Sequence, residues 1–435
     1  MEYKIINDTI HGGIKVEGLF LELIETAEFQ RLHNIKQLGL THLVFPGANH
    51  SRLEHSLGTF YIAERIATEL GLEQDEKKLV CTTALLHDLG HGPFSHTLEY
   101  IHHSVTGIEH MEITRNIILG EYSIIQRGEL RILKSKKSIP DILEKHDVDP
   151  KTVSALVTSD VREQNSSLDS FSVDVKKRSK LKNYLCQIVH GIIDADQLDY
   201  LLRDSHYTGV AHGIIDIDRI LRTMEIYNDE LVVNKRGVNA VEGMLVARDL
   251  MYSSVYFHKV VRISELMLAR AVERLPGEIL CQLPKFVDSE LIELLKKGKG
   301  FQREVVSRLK YRRLYKKVYS LGVEEADEER AKTLLRLCNQ DERRKKEDEI
   351  CRRAGIPDGS AIIDIPRKEL LVSEPRLGRT EVKIKDENKL RPLSRYSPLA
   401  RALKSRHVPD WTVMVSAHPS YRGDVRRVVE RVLFS

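Results

Sequence analysis

The sequence predicts a mainly α-helical protein with a small β-hairpin and a small α/β domain at its C-terminal end. Three observations lead to this fold class. Apolar residues recur with helical spacing over most of residues 19–275, residues 283–354 are helical in pattern and intensely charged, and short β-branched runs follow Gly355. Hydrophobic residues make up 41% of the 435 residues and charged residues 30%, which is typical of a globular chain with a sizeable core.

The N-terminal part contains the clearest helix signals. Residues 3–18 contain short β-like segments around a glycine turn, and helical periodicity follows over residues 19–37. The segment SRLEHSLGTFYIAERIATELG predicts a long helix, because Ser51 and Glu54 form a capping-box pattern and a glycine ends the segment. A second helix is predicted from residue 75 to residue 90.

The middle of the chain alternates between irregular and periodic segments. Residues 120–180 are lysine-rich and less regular, which predicts an insertion with a mobile surface portion. Helical pattern resumes over residues 181–204. Residues 225–237 predict a β-hairpin that turns at an Asn-Asp pair, and a long helix is predicted from residue 241 to residue 275.

These patterns predict three domains or regions. Residues 1–275 form the main domain, with residues 120–180 as its variable insertion. Residues 276–354 form a charged helical region, and residues 355–435 form a small α/β domain that ends in an amphipathic helix.

Composition excludes several classes of protein. The five cysteines are scattered and form no CxxC pair, which argues against a zinc knuckle or a disulfide framework and favours a cytoplasmic protein. We expect no signal peptide and no membrane span, because the sequence lacks the necessary apolar runs. The net charge of +4 favours phosphate-bearing partners only slightly, so nucleic acid is not the expected partner.

The run HDLGHGPFSH at residues 87–96 is the first candidate for a chemical site. It combines three histidines, an aspartate and a glycine-rich turn, and imidazole with carboxylate is the ligand mixture that suits Zn, Mn, Fe, Co or Ni. His55 lies one turn after Arg52 on the capped helix, so the two share a face. A metal beside a guanidinium can hold two oxygens of one phosphate. Taken singly, His55 also fits a core histidine and Arg52 a surface charge.

The segment DADQLDYLLRD at residues 194–204 is the second candidate. On a helix, Asp196, Tyr200 and Arg203 share one face, and Asp199 and Asp204 lie near its edges. Buried charges need ion pairs or a metal, so this face predicts partners elsewhere in the fold. A salt-bridged, solvent-exposed face is the alternative.

Together these segments resemble the HD-domain phosphohydrolases, whose pattern is H…HD…D. The resemblance extends to NDTIHGGIKV, FQRLHNIKQLGLTHLVFPGANHSRLEHSLG, HDLGHGPFSH, DADQLDYLLRDSHYTG and YFHKV, which look like the deoxynucleoside-triphosphate triphosphohydrolase branch (the dGTPase and SAM-and-HD-domain type). It covers roughly residues 1–275, with a fainter extension beyond. The implied fold is an HD-domain helical core.

The resemblance implies a metal centre and a reaction. The metal ligands would be His55, His87, Asp88 and Asp196, with one divalent transition metal per subunit (Mn, Fe, Ni, Co or Zn) and Mg accompanying the nucleotide phosphates. The implied reaction is hydrolysis of a deoxynucleoside triphosphate (dNTP) to deoxynucleoside and inorganic triphosphate, by attack of water at the α-phosphorus. Arg52 and the metal would hold the α-phosphate.

The resemblance also assigns roles to individual positions. Residues implied in catalysis are Arg52, His91, His96 and His110, although Met111 stands where the branch has a glutamate. Residues implied in substrate binding are Gln37, Leu38, Tyr200, Asp204, Arg248, Tyr256 and Lys259. The branch is implied to form homo-oligomers, either dimers or tetramers, with regulatory nucleotides bound between subunits. The matching positions are Lys4, Ile5, Asn7, Gln30, Val44, Phe45 and His258.

Two alternative functions stay open at this point. Gln197 stands where the branch has a lysine that binds a terminal phosphate, which keeps alive a nucleotide phosphatase or phosphodiesterase acting on another phosphoester. The basic residues of 176–182 and 283–354 motivate a second alternative, a nucleic-acid-binding module with a structural metal site.

Overall fold

The computed structural model describes residues 2–133, 137–158, 181–322, 325, 327–365, 381–405 and 413–435. The last residues of the predicted insertion, 159–180, therefore lie outside the described residues. The structure is mainly helical with three small sheets, as the sequence predicts.

Helices make up most of the described chain. Those of the first half are α1 (Leu19–Ile24), α2 (Ala27–Gln30), α3 (Arg52–Glu69), α4 (Gln74–Leu86), α5 (Ser95–Thr106), α6 (His110–Ile118), α7 (Arg127–Leu133), α8 (Ile139–Lys145), α9 (Pro150–Val157), α10 (Asn183–His190) and α11 (Ala195–Thr208). Those of the second half are α12 (Ile217–Thr223), α13 (Val238–Met251), α14 (Lys259–Val272), α15 (Gly277–Leu280), α16 (Asp288–Lys297), α17 (Phe301–Lys310), α18 (Glu328–Arg336), α19 (Gln340–Ala354), α20 (Pro398–Ser405) and α21 (Arg422–Leu433). Among the described residues, no helix is both long and apolar enough to cross a membrane.

The strands form three sheets. Their bounds are β1 (Tyr3–Asp8), β2 (Gly12–Glu17), β3 (Met224–Tyr227), β4 (Glu230–Asn234), β5 (Lys316–Leu321), β6 (Ala361–Asp364), β7 (Lys383–Asp386), β8 (Lys389–Pro392) and β9 (Val413–Ala417). β1 and β2 form an antiparallel hairpin, the second sheet has the order β3-β4-β7-β8, and the third has the order β5-β9-β6.

Helix α3 lies at the centre of the N-terminal part, between two apolar clusters. The capping box predicted at its start is present, because Ser51 Oγ accepts a hydrogen bond from the Glu54 amide while Glu54 Oε2 accepts one from the Ser51 amide at 2.6 Å. Leu57 of α3 packs in one cluster and Ile62 in the other. A helix packed on two sides is rigid, so His55 on the same helix is held in a fixed position.

One predicted helix ends earlier than expected, and another is divided in two. The helix predicted over residues 75–90 ends at Leu86, and His87 is its C-cap. The helix predicted over residues 181–204 is two helices, α10 and α11, separated by a short turn. Asp194 caps α11 by accepting the Gln197 amide at 2.8 Å. Both breaks bring a candidate site residue to a helix end.

The long helix predicted over residues 241–275 is also interrupted. Residues Tyr252–Tyr256 form one turn of π-helix between α13 and α14. Such turns shift the register of the following side chains and are frequent at functional sites. Here the turn places Tyr256 beside Asp204 of α11.

The predicted insertion at residues 120–180 contributes to the core where the structure describes it. Buried residues of α8 and α9 join the apolar cluster that contains Leu57. They include Ile142, Leu143, Val153 and Val157. Helices α8 and α9 are therefore packed, whereas α7 has no buried residues. Residues 134–136 and 159–180 lie outside the described ranges, and the mobile portion stays a prediction.

The C-terminal strands pair with strands from earlier regions. The predicted hairpin is confirmed, and its turn residues Asn228 and Asp229 both have positive φ (52° and 62°), as in a type I′ turn. β7 extends that sheet by pairing in parallel with β4. β5 pairs with β9, so the prediction of residues 276–354 as purely helical is wrong at β5. These pairings join the segments on both sides of the predicted boundary at residue 354.

A helix cap in the insertion offers a test of its packing. We expect Asp149→Ala to lower the free energy of unfolding by about 1 kcal/mol, because its carboxylate accepts hydrogen bonds from the Lys151 and Thr152 amides at the start of α9. Urea unfolding measures this change. Glu144→Ala, at an exposed position of α8, is the control and should shift the value by less than about 0.5 kcal/mol. Equal effects in the two variants would contradict the assigned cap.

Candidate metal centre and active site

The structure brings the four predicted metal ligands together. His55 of α3, His87 at the end of α4 and the adjacent Asp88 each offer a ligand atom within 4.8 Å of the others, and all three side chains are buried. Asp196, in the first turn of α11, places its Oδ1 3.1 Å from His55 Nε2. Three helices therefore supply this His–Asp centre.

The hydrogen bonds of the two imidazoles fit a metal site. His87 Nδ1 lies 2.8 Å from the Ala84 carbonyl oxygen, and His55 Nδ1 lies 2.8 Å from Asp199 Oδ2. Each ring thus presents Nε2 to the centre, and the buried His87 Nε2 makes no hydrogen bond with any described residue. An oriented imidazole whose second nitrogen is held by an acceptor is the usual arrangement of a metal-ligating histidine. The donor set of two imidazoles and two carboxylates suits a divalent transition metal.

Asp88 connects the His–Asp centre to Arg52. Asp88 Oδ2 accepts a hydrogen bond from Arg52 Nη1 at 2.5 Å, and Oδ1 lies 3.2 Å from His87 Nε2 and 3.3 Å from His91 Nε2. Burial by itself would raise the pKa of Asp88, but the charges of His87 and Arg52 hold it well below its usual range. The carboxylate is therefore ionised at neutral pH.

Arg52 is buried and fully engaged in this structure. Its Nε and Nη2 donate to Ser95 Oγ at 3.1 and 2.6 Å, and Nη2 also lies 3.2 Å from His96 Nε2. To hold a phosphate oxygen, the guanidinium would exchange the contacts to Ser95 and His96 while keeping the ion pair to Asp88. A bound phosphate would then lie directly beside His96.

The three predicted catalytic histidines lie side by side but have different protonation properties. His91 stacks on His110 with ring centroids 4.0 Å apart, and His96 lies 5.8 Å from His91. Burial and then the Arg52 charge lower the pKa of His96 to about 4, and the same two causes lower the pKa of His91. Burial would also lower the pKa of His110, but the Glu99 carboxylate raises it above its ordinary value. Of the three histidines, His110 therefore retains its proton to the highest pH.

Glu99 is a site residue that the sequence analysis missed. Its carboxylate forms a short ion pair with His110 Nδ1, and it also accepts from the His110 amide at 3.4 Å. The branch has a glutamate directly after the third histidine, whereas here the acidic partner comes from α5. Glu99 lies three residues after His96, so helical spacing was the available signal.

His91, Glu99 and His110 also offer ligand atoms within 4.8 Å of one another, but their orientation does not suit a metal. The two imidazole rings are nearly parallel, with an angle of 15° between them. A ring nitrogen binds a cation along its lone pair, in the plane of the ring. A single cation cannot lie in two parallel planes, so this cluster is a stacked pair with a carboxylate partner.

A cluster of polar and aromatic side chains lies along the next turns of α11. Asp204 accepts a hydrogen bond from Tyr256 at 2.6 Å through Oδ2, and its Oδ1 lies 2.8 Å from His50 Nε2. Tyr200 meets Tyr256 edge to face at 6.3 Å between centroids, and Leu38 packs against the same apolar cluster as both tyrosines. Direct contacts thus bring three predicted substrate residues together, namely Tyr200, Asp204 and Tyr256, and His50, which was not predicted, joins them through Asp204.

The other predicted substrate residues are placed differently. Gln37 is buried, and its Oε1 has no hydrogen-bond partner among the described residues. Arg248 is buried and donates to Gln197 Oε1 at 3.4 Å. Lys259 is exposed at the first residue of α14, and no described contact joins it to these groups.

The remaining charges of α11 are buried and paired, so the alternative of an exposed salt-bridged face is wrong. Asp199 accepts from Arg203 Nε at 2.8 Å and lies 2.6 Å from His11 Nε2, while Arg203 also donates to Asp8 at 2.7 Å. Since Asp199 is also bonded to His55, this network ties the turn between β1 and β2 to the metal centre. His11 was not predicted, whereas Asp199 was placed near the edge of this face without a specific role.

The predicted regulatory residues lie at the surface. Lys4, Ile5 and Asn7 are exposed on β1, and Lys4 forms an ion pair with Glu25 at 2.5 Å. Gln30 is exposed and donates to the Ile24 carbonyl at 2.7 Å.

The second group of regulatory positions surrounds an aromatic contact. Phe45 and His258 meet edge to face, with ring centroids 5.8 Å apart, and Val44 adjoins them. The assignment of both groups to regulation stays a prediction.

The helical fold and the His–Asp centre are those of a metal-dependent hydrolase. An HD domain model matches residues 52–164, and a model of the HD associated region matches residues 215–434. The chain is 32% identical over 421 residues to an uncharacterized protein of Methanocaldococcus jannaschii, with 95% of this chain and 79% of the relative covered. The chain belongs to the HD-domain phosphohydrolases, in the branch that contains the deoxynucleoside triphosphate triphosphohydrolases.

Further relatives support this placement. Deoxynucleoside triphosphate triphosphohydrolase SAMHD1 of Bos taurus is 34% identical over 286 residues, with 62% of this chain and 47% of the relative covered. The chain therefore spans about half the length of that relative. A hypothetical protein from Aquifex aeolicus has a similar structure, with a TM-score of 0.70 at 28% identity over 98% of this chain and 100% of that one. A phosphohydrolase from Bacteroides thetaiotaomicron, at 24% identity and a TM-score of 0.65, shares the fold, with 96% of this chain and 100% of that one covered.

The ion pair of His110 leads to a pH prediction. In Glu99→Gln the anionic partner is lost while burial remains, so the pKa of His110 should fall and the histidine should lose its proton at lower pH. If His110 acts as an acid in hydrolysis, the alkaline limb of the kcat profile moves to lower pH, and activity falls more at pH 8 than at pH 6. Glu112→Gln, an exposed site on the same helix as His110, is the control. Superimposable profiles for Glu99→Gln and wild type would contradict this role.

Proposed function

We propose that the protein hydrolyses deoxynucleoside triphosphates to deoxynucleoside and inorganic triphosphate. One observation carries the proposal: Asp88 and Arg52 join the His–Asp centre directly to the cluster of His91, His96 and His110. A phosphate bound at the centre would thus have proton-accepting and proton-donating groups beside it. The family supports phosphate chemistry, and the deoxynucleotide substrate is our inference from the resemblance and from the polar and aromatic cluster of Tyr200, Asp204 and Tyr256.

The residues of the chain divide the work of the proposed reaction. A divalent metal held by the His–Asp centre would supply polarisation of a phosphate oxygen and a lowered pKa of bound water. Arg52 binds a second oxygen of the α-phosphate, which fixes the phosphorus for in-line attack. His96, whose pKa is depressed, is suited to accept a proton or a hydrogen bond, and His110, whose pKa is raised, is suited to donate a proton to the leaving 5′-oxygen.

The cluster of Tyr200, Asp204 and Tyr256 would hold the sugar. Tyr200 would pack against the deoxyribose where a 2′-hydroxyl would collide, and Asp204 would bind the 3′-hydroxyl by exchanging one of its present contacts, Tyr256 or His50. Gln37 has a free buried acceptor for the same sugar. We further propose a homo-oligomer in which nucleotides at the surface groups around Lys4 and Phe45 regulate activity.

A second candidate function rests on Gln197. This residue is fully buried beside Arg248 and is neutral, where the branch has a lysine for a terminal phosphate. The site then has one cation fewer for a polyphosphate, which favours a phosphatase or phosphodiesterase acting on another phosphoester.

The nucleic-acid alternative has less support from the described residues. In the charged region, Arg344 is taken up within the fold, since it pairs with Glu273 and Glu347. Lys182 pairs with Glu76, and the lysines of residues 176–180 lie outside the described ranges.

Product analysis tests the proposal. The protein is incubated with each dNTP, the matching ribonucleotides, and deoxynucleoside di- and monophosphates, across Mn, Mg, Co, Ni, Fe and Zn. Anion-exchange chromatography should show inorganic triphosphate and deoxynucleoside, with 18O from labelled water in the triphosphate. Orthophosphate or pyrophosphate as the product would favour the second candidate instead. Absence of all hydrolysis, together with salt-sensitive DNA binding, would favour the nucleic-acid alternative.

Removal of one proposed ligand tests the metal assignment. Asp196→Ala should lose bound metal, and its turnover should fall. Loss of a residue that only hydrogen-bonds to a metal ligand lowers activity roughly 10–100-fold, and loss of a ligand itself should lower it further. The melting temperature should stay close to wild type, because Asp196 is partly exposed. Asp218→Ala, which removes a surface carboxylate paired with Arg65, is the control. Full metal content and wild-type turnover in Asp196→Ala, measured by elemental analysis and product formation, would refute the assignment.

A further inference from the structure

A segment from the region after the main helical core lies against the catalytic loop. The catalytic loop is defined as residues 87–94, which connect α4 to α5 and contain two proposed metal ligands and His91. The segment that lies against this loop is Leu283–Asp288, which leads into α16 and ends at the first residue of that helix. Its backbone is so close that a Cβ atom added to Gly92 would lie 3.0 Å from Pro284 Cα. This segment therefore leaves little room for a side chain at residue 92.

Asp288 bridges two separate parts of the proposed active site. Its Oδ1 accepts a hydrogen bond from the Phe94 amide at 3.0 Å, and its Oδ2 accepts one from the Lys36 amide at 3.0 Å. Phe94 directly precedes Ser95 and His96, and Lys36 directly precedes Gln37. One buried carboxylate therefore joins the histidine side of the site to the predicted sugar side.

A second contact joins the same segments independently. The buried guanidinium of Arg31 donates through Nη2 to the His91 carbonyl at 2.6 Å and to the Pro284 carbonyl. The catalytic loop is thus held to residues 283–288 from its backbone oxygen as well as from its backbone nitrogen.

The conformation of Phe94 explains why the loop needs such a partner. Phe94 has φ 46° and ψ 42°, a left-handed conformation that is unfavourable for a bulky side chain. It is also the N-cap of α5, and its side chain supplies no cap. Without Asp288, the amide of Phe94 would lose its acceptor at a strained position, and the backbone could relax away from this conformation.

We propose that Asp288 is a positioning residue that fixes His96 and Gln37 relative to each other, and that residues 283–288 thereby form part of the active site. Asp288 touches neither His96 nor Gln37 and acts through the amides next to them. The kinetic part of this inference rests on the proposed function, whereas the structural part does not. The competing explanation is that Asp288 only stabilises the start of α16, where an acidic residue is favourable.

The test compares Asp288→Ala and Asp288→Asn with Glu293→Ala, an exposed acidic site on the same helix. Hydrogen exchange with mass spectrometry is measured on the whole protein, for peptides covering residues 35–39 and 92–98. We expect faster exchange in both peptides in the Ala variant. Asparagine retains one carbonyl acceptor, so one of the two peptides should stay protected in Asp288→Asn.

The kinetic readout separates positioning from helix capping. We expect kcat/KM for the dNTP to fall about 10–100-fold in Asp288→Ala at unchanged metal content, because small misplacements of catalytic groups have effects of this size. Glu293→Ala should leave kcat/KM and metal content unchanged. If Asp288→Ala does not fold, Asp288→Asn decides the question by the same two measurements.

Two results would overturn the inference. The first is unchanged exchange at residues 35–39 and 92–98. The second is faster exchange confined to α16 with unchanged kcat/KM, which is the outcome of a capping role alone. A wild-type protein that hydrolyses no dNTP would refute the proposed function, and the exchange of the two peptides would still test the role of Asp288.

Discussion

The ionised carboxylate of Asp88 is the constraint on which the rest of the site depends. It is buried, and it is stabilised by Arg52 at 2.5 Å and by the neighbouring imidazoles of His87 and His91. Removing either member of the buried pair would leave the other charge uncompensated, which typically costs about 3–5 kcal/mol. Because Arg52 also contacts Ser95 and His96, this single ion pair fixes the distance between the metal side and the histidine side.

A second network fixes the direction of His55. Asp199 holds its Nδ1, and Asp199 is in turn held by His11 and Arg203. The hairpin at the start of the chain is therefore part of the support of the metal centre, although it contributes no proposed ligand. Any movement of that hairpin would be transmitted to His55 through one buried carboxylate, which gives the exposed positions on β1 a physical connection to the site.

Structural features that depend on residues close together in the sequence were predictable. Features that depend on contacts between distant segments were not. The capping box of α3, the turn at Asn228 and the ligand motif around His87 each follow from residues close in sequence, and the structure contains the first two and brings the motif residues together. Glu99 and Asp199 lie at helical spacing from predicted site residues. Glu99 pairs with His110 on another helix, so its side chain resembled an ordinary surface charge. Asp199 was placed near the edge of the α11 face, but its partners His11 and His55 are far away in the chain and could not be named.

The same reason explains the errors in the fold. The strand β5 lies in a lysine-rich context that matches a solvated helix, and only its pairing with β9 stabilises an extended conformation. The helix is interrupted after Met251, although no proline or glycine in the sequence there predicts a break. There the packing of Tyr256 against Asp204 and Tyr200 stabilises the π-helical turn at the expense of regular helical hydrogen bonds.

Gln197 shows how burial limits the charge that the substrate side can carry. A lysine here would place a second buried cation next to Arg248, and the two would repel each other whenever no anionic ligand is bound. The neutral amide removes that repulsion and keeps a hydrogen bond with Arg248. In the proposed reaction, attraction for the outer phosphates then depends on Arg248 rather than on a pair of cations. The inner phosphate keeps the Arg52 site, so the α-phosphate is the part of the substrate that this chain is best built to hold.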